Sequence, residues 1–575
     1  SQIAVSGSEV SYEGTPIGTL TGGVGIAPLV VALNNAATPA AAQALIRAVT
    51  FRNVNSSPAT GVRSVTLTLT DADNGAGTGV VPVRVGLLRV AEFQQGVDRG
   101  YGVYTGAADC ELTLINPEAA YPMGHNGNGL WVDAQENETT TDACQVLMRF
   151  DDIAGTGPGQ IPPTAIIVSA ELWLTVPPTV SNAQGDASPL YRMLVDWDPE
   201  TSTYNGVGNG YEGFVPDDIH ARSTYDSFLG LANGDANTGT GTFSLGVTAD
   251  VEAWVNAGEP NHGWLMPGWP TRLDGTAFSP SEASNPDYRP RLRVLWLPAG
   301  TARTSFRQDV NEYYSAQDTR IRANAPDADS STIASVYVDY FVSAGDRNEE
   351  QVLIQFGDII GTEPGQIPPG SRIDVAMLDL ASMVGNAMGD GGTFHAMLKP
   401  WQHTDTWTML DNGVTADGVE ALETPSVAVG NPTLAPNVQA AFHSFEVSPD
   451  VQAWVRGARP NHGWVILPWV DAGDGWGFGT SEQADERNRP QLRVYYTPGA
   501  VEPEKAVLQM PVYAAGNVVL TFSGDIDRAY SIRRVGALGG AWVTIGTATV
   551  GAGGTATFTD SSPLPGAAFY QVVYP

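Results

Sequence analysis

The sequence predicts a multidomain all-β protein, a run of tandem β-sandwiches with smaller sandwiches at both ends, and three observations carry that expectation. The stretch QVLMRFDDIAGTGPGQIPP, Gln145 to Pro163, recurs 206 residues later as QVLIQFGDIIGTEPGQIPP, Gln351 to Pro369, with 14 of 19 positions identical. A second pair, DVEAWVNAGEPNHGW from Asp250 and DVQAWVRGARPNHGW from Asp450, lies 200 residues apart, so two long modules stand in tandem. A period this long means duplicated domains and not a solenoid. The 65 Gly and 40 Pro, with abundant Thr, Val, Asn and Ser, describe short strands joined by turns. Long helical patterns are nearly absent, and 575 residues exceed what one core serves.

Residues 1–87 read as strands around one short helix. VSYEGTPIGTLTG and PLVVALN alternate as strands. Thr38 followed by Pro39 is an N-cap and a proline at the first helical position, opening AAAQALIRAVTF, in which Ala41, Leu45, Ala48 and Val49 share a face that would dock on a sheet. VRSVTLTLTD and VVPVRV then alternate strictly around the turn DADNGAGTG. In that turn Asp71, Asp73 and Asn74 offer the oxygen donors that Ca²⁺ prefers, as do Asp471 to Gly475 later in the chain; Asx turns account for both equally well. GTPIGTLTGG, ATPAAAQALIRAVTFRN and RSVTLTLTDAD resemble a cadherin-like surface repeat of large bacterial exoproteins, whose members carry further strands before the point where this chain begins. The resemblance implies an incomplete sandwich. Its open slot would be filled by a neighbouring chain near Ser1, Gln2, Ile3, Ala4 and Val5, by β-augmentation, or else from within the same chain.

Residues 88–300 and 301–500 are the two long modules. Each has an opening strand with an aspartate and a later proline at matched spacing, Asp109 with Pro117 and Asp318 with Pro326. Each closes alike, in SEASNPDYRPRLRVLW and SEQADERNRPQLRVYY. The IPP turn stops strand extension and forces a change of direction. The run Asp250 to Val255 is too short for periodicity to decide between a helical turn and a strand end. Together the opening aspartate strand, the L-x-x-F-D-I element before IPP, the D-V-x-A-W-V strand with PNHGW and the closing RP-x-LRV strand resemble the DNRLRE domain, the disaggregatase-related repeat of secreted and surface proteins. That resemblance implies two jelly-roll-like sandwiches of the kind carbohydrate-binding modules share, and does not by itself imply catalysis. Residues 501–575 follow a short Pro and Glu linker, and their strands VVLTFS, YSIRRV, AWVTIGTATV, GTATFTD and AFYQVVYP look like a fibronectin or immunoglobulin-like cap.

Acidic residues outnumber basic ones 62 to 29, for a net charge of −33, which argues against nucleic acid or an anionic membrane as partner. No apolar run reaches the length of a membrane span. An acidic, all-β, tandem-domain chain of this class is expected outside the cell, with its signal peptide already removed. The two cysteines, Cys110 and Cys144, sit in strand-like runs where the second module has Thr319 and Glu350, and are the candidates for a disulfide staple.

Candidate chemistry is sparse. His262 and His462 recur within the fold-closing PNHGW motif, and Asp250 and Asp450 with them, which favours structural over catalytic use. Adjacent carboxylates such as Asp151 with Asp152, Asp196 with Asp198 and Asp217 with Asp218 do not establish the spacing across a cleft that a glycosidase needs. Neither a nucleophile elbow, a zinc-protease helix nor a Walker loop occurs. Trp401, Trp407 and Trp476, in Gly-rich or polar stretches, are candidates for stacking on sugar rings. The sequence therefore predicts a non-enzymatic subunit of a surface filament or coat, joined to copies of itself by strand exchange. The alternatives are a monomeric carbohydrate-binding or adhesive exoprotein and, less expected, a polysaccharide-degrading enzyme.

Overall fold

A computed structural model describes residues 3–573 except 24–26, 50–60, 71–75, 86, 126, 128, 135–141, 178–179, 181–184, 207–212, 231–240, 270–274, 344–345, 383–388, 431–439, 471–474, 500–505, 515, 525–528, 537–541, 552–554 and 566–567. The described chain is all-β: antiparallel sheets throughout, with three short α-helices. It divides into two compact units, Ser1–Leu87 and Leu88–Pro575.

In the first unit β1 (Ile3–Ser6), β2 (Glu9–Tyr12), β3 (Thr15–Thr21) and β4 (Val30–Leu33) pair in that order as an antiparallel meander. α1 (Pro39–Ala48) begins where the sequence placed it, with the Thr38 hydroxyl accepting a hydrogen bond from the Ala41 amide at 3.2 Å. Ala41 and Leu45 join Val10 and Ile17 in a small core. Ala48 and Val49 stay exposed instead, because the helix ends at Ala48 and Val49 turns extended at the cap. β5 (Gly61–Thr70) and β6 (Ala76–Val85) form a hairpin paired over ten residues each.

The second unit contains two sandwiches of one topology. In the first module β7 (Arg89–Gln94), β17 (Arg291–Leu297), β11 (Ile166–Val176) and β14 (Gly241–Gly246) form one sheet. β8 (Ala107–Thr113), β10 (Cys144–Phe150), β15 (Trp264–Met266), β12 (Ser188–Arg192) and β13 (Ser227–Leu229) form the other, and β9 (Leu130–Val132) pairs with β16 (Thr276–Phe278). In the second module β18 (Ala302–Arg307), β28 (Gln491–Thr497), β22 (Arg372–Ala381) and β25 (Phe442–Glu446) match the first sheet. β19 (Ala316–Arg322), β21 (Asp346–Phe356), β26 (Trp464–Pro468), β23 (Gly392–Ala396) and β24 (Val427–Val429) match the second, with β20 (Ser335–Ser343) and β27 (Trp476–Gly479) paired beside them. Side chains from both sheets meet in each core, for example Phe93, Leu172 and Val294 with Val146, Met148 and Trp264. A third, smaller sandwich holds Leu520, Phe522, Tyr530 and Ile532 in its core.

The repeated 19-residue block is a folded turn. Gln160 accepts from the Gly157 amide and donates to the Asp152 carbonyl; Gln366 accepts from the Glu363 amide and donates to the Asp358 carbonyl. A Cβ at Gly155 or Gly361 would lie 2.2 or 2.0 Å from the glutamine amide oxygen, so glycine there leaves the room the glutamine fills. The D-V-x-A-W-V segment, grouped with the strands by the family resemblance, is helical in both copies. α2 (Thr248–Glu252) continues into a wider π-type turn, and α3 (Ser448–Val455) is its counterpart. Helix form turns Trp254 and Trp454 inward against Trp264 and Trp464, at ring distances of 4.9 and 4.7 Å.

The two modules interlock. Ala441 of the second lies in the core of the first, Phe228 and Phe442 meet at 5.1 Å, and the Gly230 amide donates to the Ala440 carbonyl at 3.1 Å. Arg493 grips Asp379 through two nitrogens and also donates to the Val168 carbonyl across the joint.

Candidate functional site

The aspartates repeated between the modules are committed to the fold. Trp264 Nε1 donates to Asp250 Oδ2 at 2.6 Å, and Trp464 Nε1 to Asp450 Oδ2 at 2.8 Å, all four side chains being buried. The opening aspartates act alike: Asp109 Oδ2 accepts from the Ser281 amide and Asp318 Oδ2 from the Ser481 amide, both at 2.9 Å. In PNHGW it is the asparagine that locks the turn, Asn261 donating to the Phe150 carbonyl and Asn461 to the Phe356 carbonyl. His262 and His462 present their backbone carbonyls to the indoles of Trp197 and Trp401. Of the adjacent carboxylates, Asp217 accepts from the Ile219 and His220 amides, Asp218 holds Ser223, Asp198 accepts from the Glu200 amide, and Asp151 and Asp196 both accept from Arg149.

Burial sets how these carboxyls titrate. Burial first, and a neighbouring carboxylate second, push Asp318 and Asp250 well above the ordinary range, the neighbours being Glu482 and Asp226. Asp109 is pushed up to about 8 by the same two causes. A raised carboxyl holds its proton in the folded state where the unfolded chain has released it. Its contribution is therefore complete below the ordinary carboxylate value and is lost as pH rises toward the folded one. Surface aspartates such as Asp329, Asp417 and Asp485 are held low by hydrogen bonds, and their contribution is lost as pH falls through acid. Stability is thus expected to peak in acid, near about pH 4, and to decline from there toward pH 8. Denaturant midpoints measured from pH 4 to 9 check this. Asp318→Asn should flatten the decline, and a profile that rises from pH 5 to 8 would refute it.

Several residues singled out from sequence are placed elsewhere than expected. Cys110 and Cys144 are buried free thiols, not a disulfide. Cys110 lies opposite Leu147 and Cys144 opposite Thr113, so the two point to opposite faces of one sheet and cannot meet. Trp401, Trp407 and Trp476 are buried and present no ring to a sugar. Trp401 and Trp407 roof the outer face of the second module's sheet, packing over Ile321, Leu353 and Val465 under a loop that folds back on itself. Trp476 fills the sandwich interior, its indole donating to Ser382 at 2.5 Å. Asp71, Asp73 and Asn74, the expected calcium ligands, lie outside the described residues, as do residues 471–474 and Ser1 and Gln2. Ile3 is half-buried, while Ala4 and Val5 are exposed on β1, whose outer edge has no strand beside it among the described residues.

Two arrangements not anticipated from sequence stand out. One is a cleft of about 970 Å³ between the modules, lined by Arg303, Arg307, Arg487, Glu312, Tyr314 and His443 among others. Tyr314 is 67% exposed there. The other is a group in the first module, Glu111, His125 and Cys144, whose ligand-type atoms all lie within 4.8 Å of one another. Glu111 is wholly buried on β8; its Oε1 lies 2.5 Å from His125 Nδ1, and its Oε2 accepts from the Trp131 amide at 2.8 Å. The sequence held a signal for this group in the exchange of residue types between copies, Cys144 against Glu350 and Glu111 against Arg320. Only the register of the strands makes that exchange readable.

No family model matches the chain, and no curated protein matches it. Among solved structures it has a faint likeness to a β-1,2-glucanase from Parabacteroides distasonis, 13% identical over 45% of this chain and 34% of that one, with a TM-score of 0.12. The chain thus spans about a third of that enzyme's length, and the likeness carries no argument.

Proposed function

We propose that this chain is a non-catalytic structural subunit of an extracellular surface array, in which interlocked β-sandwich modules act as a rigid spacer and the Ser1–Leu87 unit joins copies by strand addition. The observation that carries the reading is the four-stranded meander, in which β1 and β4 are the outermost strands among the described residues. Apolar side chains are exposed on those edge strands, Val5 on β1 and Val30 and Leu33 on β4, and an apolar edge strand of this kind is a template for a further strand. The use of the repeated aspartates as indole and amide acceptors supports a scaffold, since it leaves them no free oxygen pair facing a cleft. The resemblance to DNRLRE and cadherin-like surface repeats points the same way.

The test is sedimentation and electron microscopy of the whole chain over a range of concentrations. Concentration-dependent chains of molecules are expected, and Val5→Lys, which places a charge on an exposed edge position, should abolish them without altering the fold. A chain that stays monomeric at high concentration, or one whose polymers survive both Val5→Lys and Val30→Lys, removes strand addition.

The cleft between the modules favours a second reading, a carbohydrate-binding exoprotein. Arginines, carboxylates and the exposed ring of Tyr314 line one opening, the mixture that recognises a polyhydroxylated or acidic sugar. Calorimetric titration with neutral and uronate-containing oligosaccharides, repeated on Tyr314→Ala, separates this reading from the first.

A further inference from the structure

We propose that Glu111, His125 and Cys144 bind one borderline transition-metal cation, of which Zn²⁺ is the type. A carboxylate oxygen, an imidazole nitrogen and a sulfur converge within 4.8 Å. Thiolate and imidazole are poor ligands for Ca²⁺ or Mg²⁺, whereas this oxygen, nitrogen and sulfur set suits zinc and its neighbours.

The second module supplies the independent argument. In its sheet the position of Glu111 is taken by Arg320, which faces Val352 as Glu111 faces Val146, and the position of Cys144 is taken by Glu350. Arg320 and Glu350 form an ion pair at 3.0 Å, with the guanidinium 5.2 Å from the ring of Tyr337. The second copy thus builds a cation into this part of the sandwich. The first replaces that arginine by a buried glutamate, and between Gly100 and Met148 its sequence contains no Lys or Arg. A bound metal ion restores the positive charge that the duplicated fold has at this place, using residues that are metal ligands by type.

The ligands are also held in position. Both backbone groups of Cys144 are bonded to Asp133, at 3.0 and 2.9 Å, so the thiol leaves the sheet at a fixed point. The turn carrying His125 is pinned by the Glu111 amide donating to the Tyr121 carbonyl. Gly124, at φ +79°, is one place where only glycine fits, because a Cβ would lie 1.8 Å from the Gly129 carbonyl oxygen. The Trp131 amide orients the Glu111 carboxylate, the outer-shell support that metal ligands need. His125 is the outermost of the three, its side chain 16% exposed against none for Glu111, and marks the side from which an ion enters. Binding replaces the S–H bond of Cys144 by an S–metal bond and the Glu111–His125 hydrogen bond by bonds from both side chains to the metal; the thiol proton goes to solvent, the proton shared by Glu111 and His125 moves to the outer imidazole nitrogen or to solvent, and no electrons are transferred.

The experiment titrates the whole chain, stripped with a chelator and desalted, with Co²⁺ alone and then Zn²⁺ alone. One Co²⁺ per chain should bind with a sulfur-to-cobalt charge-transfer absorption, be displaced by Zn²⁺, and bind more weakly as pH is lowered through the range in which the thiol must lose its proton. Cys144→Ser should lose the absorption, and Cys110→Ser, the thiol on the other face of the sheet, should keep it. His125→Gln, at the partly exposed ligand, provides a variant that leaves the interior intact and should weaken binding by at least about 100-fold. The exchange Glu111→Arg with Cys144→Glu, which copies the ion pair of the second module, should fold and bind no metal. Absence of a thiolate band at saturating Co²⁺, a band undiminished in Cys144→Ser, or unchanged affinity in His125→Gln would each overturn the assignment.

Discussion

Arg493→Ala is expected to destabilise the paired modules by about 3–5 kcal/mol and to loosen the joint between them. The Arg493 guanidinium binds both oxygens of Asp379, and Asp379 also accepts from Ser444 at 2.5 Å. A further nitrogen donates to the Val168 carbonyl in the first module, beside the Tyr495 hydroxyl, which donates to the Ile167 carbonyl at 3.3 Å. The two charged side chains are 16% and 21% exposed, so water screens the pair little. Burial, the largest single influence, would ease deprotonation of the guanidinium, but the Asp379 carboxylate and the Tyr495 hydroxyl together reverse it and leave the guanidinium harder still to deprotonate. Truncating the arginine strands Asp379 half-buried, whereas Arg493→Met with Asp379→Leu removes both charges and should recover most of the loss. Calorimetry checks the joint: separate transitions for the two modules should emerge in Arg493→Ala where the parent melts them together. A loss below about 1 kcal/mol would place this contact among ordinary surface pairs.

Trp464→Ala is expected to cost a similar amount, about 3–5 kcal/mol, and Trp464→Phe a smaller one, about 1–3 kcal/mol. The indole is wholly buried on β26, packs against Trp454 and gives its N–H to Asp450. Alanine opens a cavity and also strands the carboxylate. Phenylalanine keeps most of the packing and removes only the donor, so its effect isolates the hydrogen bond. Arg459 still holds Asp450 Oδ1 at 2.8 Å, which limits the damage in the phenylalanine variant. Urea denaturation of the three proteins measures the order, and a phenylalanine variant as stable as the parent would show that the Asp450 bond contributes nothing.

How these residues are used bears on what was legible beforehand. The closing motif was readable as structural because it occurs twice, and the fold uses both copies identically. The tryptophans of the second module are buried, against the expectation from local sequence, for a physical reason. Trp407 sits in a polar, Gly-rich stretch, but that stretch folds back over the sheet, where Gly413 approaches the Trp407 ring so closely that a Cβ would lie 2.5 Å from it. Local composition describes the solvent preference of a loop and not which side of it faces a neighbouring sheet. The cysteines fail in the same way. Whether two residues in paired strands meet depends on register, and a shift of one position moves a side chain to the other face.

What the sequence determined by itself was local or repeated. It marked the all-β class, the tandem duplication, the Thr38 cap of α1 and the turn enforced by IPP, because each follows from turn chemistry, alternation or identity along the chain. The tertiary structure alone decided what depends on residues far apart in sequence. It placed Glu111 beside His125 and Cys144, closed the joint between the modules through Arg493, and buried the tryptophans expected on the surface. Strand pairing sets those distances, and a chain read residue by residue carries no record of which edges meet.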